Sequence, residues 1–154
     1  MQTFPFSQKE IKLFAELNKA GMRYIIVGLA SAAMQGAPIV TQDVDVWFEN
    51  IGDEKIRTVI KKCGAVFVPS INDHPPALAG EGFDLIDIVV TVHGIKDFDA
   101  EYKKCIILRL ADVNVRILPL EKVIQSKKYL NREKDKRVLP VLKTTLIAKK
   151  ENGK

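Results

Sequence analysis

Short runs of β-branched and other apolar residues recur along the chain, separated by stretches whose apolar residues are spaced three and four apart. The runs "RYIIVGLA", "VDVWFE", "AVFVPS", "FDLIDIVVTV", "CIILRLA" and "VNVRILP" each suit one short strand. Between them the spacing predicts helices. Ser7 and Glu10 have the spacing of a capping box, and Ile11, Phe14, Leu17 and Ala20 then form a stripe that ends at Gly21. The strand in "RYIIVGLA" breaks at Gly28 into the small-residue stretch "ASAAMQG", a short helix ending at Gly36. Over residues 53–63, Asp53 and Glu54 lead a stripe of Ile56, Val59, Ile60 and Cys63, which Gly64 closes. Further helices are expected at "DFDAEYKK", near 119–130 and over 136–149, and "INDHPPALAGEG" reads as a surface loop. Strands alternating with helices in this order predict an α/β (α+β) fold, one twisted mixed sheet backed by helices.

A chain of 154 residues, 47% hydrophobic and 28% charged, has the size and composition of one globular domain with one core. We expect a single domain over 1–154, with a core at about 22–118 and a basic helical segment at about 119–150. No apolar run is long enough to cross a bilayer, so no membrane association is expected. The opening "MQTFPFSQKEIKLF" lacks a basic region followed by an apolar stretch, and Cys63 and Cys105 suit free thiols, which together predict a cytoplasmic location. The net charge of +5 is uneven: residues 121–154 hold 11 Lys and Arg against 4 Asp and Glu, leaving the first 120 residues slightly acidic. A basic segment of this kind suits phosphate or nucleic acid, and equally a solvated helical face.

The strand in "TQDVDVWF" carries Asp43 and Asp45 two residues apart, so both carboxylates project to one side while Val44 and Val46 face the core. Like charges this close repel, and the repulsion becomes useful where the acids share a divalent cation whose shell is completed by phosphate oxygens. Upstream, the strand-to-helix turn at Gly28 can offer backbone N–H groups to phosphate. Downstream, "FDLIDIVV" offers Asp84 and Asp87 in a second strand, on opposite faces, so only one of them can join the pair. A third carboxylate there could share the metal and take the proton of an attacking hydroxyl. Lys127 falls on the stripe of Leu120, Val123 and Ile124, where an apolar residue is expected. Its charge there reaches either a cleft and an anion, or solvent past the core. His74 and His93 read as surface residues, and Trp47 and Phe48 as core and sheet-edge residues.

These pieces resemble the nucleotidyltransferase superfamily of DNA polymerase β, and most of all the small bacterial nucleotidyltransferases similar to abortive-infection, type IV toxin proteins. In those a "VGG-x-A…G-x-P-R-x-T-x-D-x-D" block is followed by an acid-bearing strand and by an "sleDLi..K…GR.KD" block. Here the blocks read "VGLASAAMQGAPIVTQDVDV" and "ILPLEKVIQSKKYLNREKD", in the same order, within Tyr24 to Leu146. The resemblance implies a minimal nucleotidyltransferase fold with C-terminal helices. It implies Asp43, Asp45 and Asp87 as catalytic residues and ligands of two Mg²⁺ ions, with Mn²⁺ as a substitute. Asp87 is preferred over Asp84 because the family's third acid precedes a glycine by about seven residues, as Asp87 precedes Gly94. Gly28, Ser31, Thr41, Lys127, Arg132 and Lys134 are implied as nucleotide and phosphate contacts. The implied activity is transfer of NMP from an NTP, in the first place ATP, to a hydroxyl of RNA, tRNA, protein or, as in antibiotic-modifying enzymes, a small molecule. An antitoxin-like protein is the implied partner.

The pattern departs at two places. Leu29 stands where the family has a second Gly or Ser, and Ile39 where it has Arg. A branched side chain at that turn hinders close approach of a triphosphate to the backbone. The alternative reading is therefore a catalytically degenerate module of this fold that binds RNA or a partner protein through the basic C-terminal third.

Overall fold

The protein is described by a computed structural model covering residues 5–153; the first four residues of the stretch read for a leader lie outside the described residues. Capping sets the first helix, α1 (Gln8–Lys19): Ser7 Oγ accepts from the Glu10 amide at 3.1 Å and Glu10 Oε1 accepts from the Ser7 amide at 2.8 Å. Its Leu13, Phe14 and Leu17 are buried, and the Phe14 ring stacks on Tyr24, with centroids 5.5 Å apart. The chain continues through β1 (Tyr24–Val27), α2 (Gly28–Met34), β2 (Val44–Phe48), α3 (Lys55–Lys62), β3 (Val66–Val68), β4 (Ala77–Ala79) and β5 (Ile86–Val89). It ends with α4 (Phe98–Lys104), β6 (Ile106–Leu110), β7 (Val113–Ile117), α5 (Leu120–Leu130) and α6 (Glu133–Asn152). The seven strands form one open mixed sheet in the order β3-β4-β5-β2-β1-β7-β6.

Alternation along β2 explains the two apolar layers. Val44, Val46 and Phe48 join Leu13, Phe14, Leu17, Ile56 and Ile60 on one face. Trp47 joins Ile25, Val27, Leu118, Val123 and Leu142 on the other, beneath α5 and α6. The α/β class follows from these two layers. Two expectations differ. The segment read as a loop contains β4, which pairs antiparallel with β3 (Phe67↔Leu78) and with β5 (Ala77↔Asp87); Pro75, Pro76 and Gly80 hid a three-residue strand that only its neighbours stabilise. The last helix begins at Glu133, not 136, because acidic Glu133 and Asp135 suit a helix N-terminus, and it runs on through Pro140. Among the described residues, no helix is long and apolar enough to cross a membrane.

Candidate active site

Two adjacent parallel strands bring the acids together. Asp45 of β2 lies in register with Asp87 of β5 on one side and with Val27 of β1 on the other. The Asp45 and Asp87 side chains lie close enough that each acid shifts the titration of the other. Burial, followed by the charge of Asp87, lifts the Asp45 carboxyl to about 6, against the opposing pull of Lys127. Burial, and then the charge of Asp43, also raises Asp87, while the neighbouring Asp45 carboxyl works the other way. Asp45 is part-buried and Asp87 exposed, and a second acid beside the more buried one favours its protonated form. Asp43 lies one residue before β2, exposed, at the rim of the same cleft.

Gly28 follows directly on β1 with φ +66°, in the left-handed region. A Cβ there would lie 2.8 Å from Asp45 Oδ2, so the turn is built around that carboxylate.

The opposite wall comes from α5 and the start of α6. Lys127 lies on the inner stripe as its spacing predicted, part-buried, with Nζ 3.7 Å from Asp135 Oδ1. Burial lowers its pKa, opposed chiefly by Asp135. Asn131, at φ 52°, turns the chain from α5 into α6. There Asp135, 1% exposed, accepts from Arg132 Nε at 2.7 Å, from its Nη2 at 3.0 Å and from its backbone amide at 3.0 Å. These bonds hold the Asp135 carboxyl down at about 2, against the effect of burial. Asp135, the last residue of the block that resembles "GR.KD", is the hub here, a role the sequence reading did not give it; its i, i+3 spacing from Arg132 was the available signal.

A charged cleft of about 320 Å³ is lined by Asp43, Asp45, Asp87, Thr41, Lys127, Arg132 and Lys134, together with Leu29. A more apolar lobe of about 160 Å³ adjoins it, sharing Asp45, Lys127 and Arg132 and adding Gly28, Thr91, His93 and Ser126. His93 is exposed, as read, and its ring lies nearly parallel to Tyr129, with centroids 6.4 Å apart. Its place in the lobe was not foreseen, although alternation about buried Val92 puts Thr91 and His93 on one side. Ser31, expected at the phosphate, is fully buried, and its hydroxyl donates to the Leu118 carbonyl; the face α2 turns to the sheet takes it away from the cleft. Asp84, expected in the strand, occupies an exposed turn before β5 and lines neither space. Ile39 packs against the core beneath α5.

Among the described residues, no three His, Cys, Asp or Glu side chains are grouped so as to hold a metal ion by themselves. The adjacent Asp45–Asp87 pair nevertheless suits Mg²⁺, which takes one or two carboxylates and completes its shell with substrate phosphate and water.

No protein-family model matches the chain, and no curated protein matches it in sequence. Solved structures match it in fold. A crystal structure of ANT(2'')-Ia in complex with adenylyl-2''-tobramycin aligns with a TM-score of 0.59 and 16% identity, covering 90% of this chain and 88% of that one. The solution structure of the same antibiotic-resistance factor aligns at 0.61 with 14% identity, covering 90% and 84%. An antigenic nucleotidyltransferase-like protein from Paracoccidioides brasiliensis aligns at 0.57 with 18% identity, covering 90% and 78%. What these proteins share with the chain is the fold: the open mixed sheet is that of nucleotidyltransferases.

Proposed function

We propose that the protein is a divalent-metal-dependent nucleotidyltransferase that moves NMP from an NTP to a hydroxyl acceptor. The observation that carries this reading is the in-register Asp45–Asp87 pair facing Lys127, Arg132 and Lys134 across one cleft. Asp45 and Asp87 would hold Mg²⁺ together with substrate phosphate, and Asp43 would join them from the rim of the cleft; the ion when bound supplies charge neutralisation and orientation of the triphosphate. Asp87 takes the proton of the acceptor hydroxyl. The acceptor oxygen forms its bond to the α-phosphorus as the bond to the pyrophosphate oxygen breaks, and pyrophosphate leaves. Lys127, Arg132 and Lys134 offset the negative charge on the phosphates, with Asp135 holding the first two in place.

Charge favours RNA, tRNA included, as the acceptor. Tobramycin, in the ANT(2'')-Ia complex, is a polyamine. Here the excess of 11 Lys and Arg over 4 Asp and Glu in residues 121–154 suits a polyanion instead. The test is transfer of label from α-labelled ATP with Mg²⁺, offered total RNA and tobramycin in parallel. Label on RNA, lost by at least a thousandfold in Asp45→Asn with the fold intact, is the expected result. Equal transfer by Asp45→Asn would reject the assignment, and label on tobramycin alone would reject RNA. The degenerate-module reading is favoured by Leu29, whose branched side chain lines the charged cleft. Salt-sensitive RNA binding without Mg-ATP binding, by calorimetry, would select it.

A further inference from the structure

Two arginines lie against the ring of Tyr102, and their surroundings differ. Arg23 has its guanidinium carbon 4.1 Å from the ring centroid and is neutralised by Glu49 and Asp99, each at 2.7 Å. Arg116, on β7, lies 4.3 Å from the same centroid but has no carboxylate partner among the described residues. Its one hydrogen bond to protein, from Nη1 to Cys105 Sγ at 3.8 Å, goes to a weak acceptor. The Arg116 side chain is part-buried, and most of its five N–H donors remain uncommitted to protein, free to meet an anion.

These donors open into a cavity of about 320 Å³ lined by Arg116, Asn114, Asn18, Tyr24, Tyr102 and Ile107, among others. Asn18 braces its wall, donating to the Asn114 carbonyl at 2.7 Å and accepting from the Tyr24 hydroxyl at 3.1 Å. The Asn114 side-chain amide has no partner among the described residues. Tyr24 opens β1 while Val27, in register with Asp45, closes it, so the cavity lies at the far end of that strand from the acids. It shares no lining residue with the charged cleft or its apolar lobe.

We propose that this cavity is a second ligand site, which takes the oxyanion group of a small molecule, a phosphate monoester or a carboxylate, on the Arg116 guanidinium. Tyr102 holds the guanidinium plane by stacking, and the Asn114 amide supplies a further donor. The site is independent of the nucleotidyltransferase reading, because its residues lie outside that cleft.

The test is NMR titration of the ¹⁵N-labelled full chain with inorganic phosphate and, separately, acetate at constant ionic strength. The signals followed are the Arg116 Nε–H and the Asn18 and Asn114 side-chain amides. Saturable shifts at these groups are expected, with affinity at least tenfold weaker in Arg116→Gln and unchanged in Lys127→Gln. Saturation by phosphate alone identifies a phosphoryl ligand, and saturation by both anions shows that a carboxylate also serves. Arg116→Lys, which keeps the charge without the fork, should be intermediate and stands in if Arg116→Gln does not fold. Shifts that never saturate, that persist in both Arg116 variants, or that vanish in Lys127→Gln would overturn the proposal.

Discussion

Replacing Gly28 by alanine combines two separable penalties. The first is conformational: at φ +66° an L side chain costs about 1–2 kcal/mol. The second is steric, since the new Cβ would lie 2.8 Å from Asp45 Oδ2. Overpacking of a part-buried site costs about 1–3 kcal/mol, and the lower end applies because a single carboxylate can rotate away. Gly21 separates the two terms: its φ is +72°, nearly the same, but nothing lies within 4 Å of its Cβ position. Gly21→Ala should therefore lose only the conformational part, about 1–2 kcal/mol, and Gly28→Ala about 2–3 kcal/mol. Urea denaturation of both variants gives these values, and the larger loss corresponds to a fall in Tm of roughly 4–12 °C. In an Asp45→Ala background the Gly28→Ala penalty should drop by about 1 kcal/mol, the share due to the carboxylate. A Gly28→Ala penalty equal to that at Gly21, or one unchanged when the carboxylate is removed, would refute the claim that the turn is shaped around Asp45.

Leu29→Ser should tighten Mg-ATP binding severalfold by calorimetry, since Leu29 lines the charged cleft where the resembling family has a small residue; unchanged affinity would mean that Leu29 does not obstruct the nucleotide. Asp135 makes stability depend on acid pH. With a folded pKa of about 2, below its unfolded value, its contribution is fully present above about pH 4 and is lost as pH falls toward 2. The contribution should be about 1–2 kcal/mol after allowance for screening at the partly exposed Arg132. Asp135→Asn should remove that part of the slope when denaturation is compared from pH 2 to pH 5, and an unaltered slope would place the dependence elsewhere.

Local chemistry carried a large share of the structure, and the elements show why. The Ser7–Glu10 capping box, the stripe of α3 and the alternation of β2 depend on residues a few positions apart. Lys127 stood out for the same reason, as a charge on an otherwise apolar stripe. The strand β4 did not, because three residues between prolines and glycine have no periodicity of their own. Ser31 was misplaced because spacing gives the helix but not which side of it meets the sheet.

By itself the sequence determined the alternation of strands and helices, the acids Asp43 and Asp45 at the start of β2 and the basic character of the last third, since each is set by neighbours along the chain. Only the tertiary structure set Asp87, which the family resemblance had preferred to Asp84, in register beside Asp45, and made Asp135 tie Lys127 to Arg132. It alone also left Arg116 without a carboxylate. Those outcomes depend on strand register and on how helices rest on the sheet, which residues distant in sequence settle together as they exclude water and find partners for buried charge.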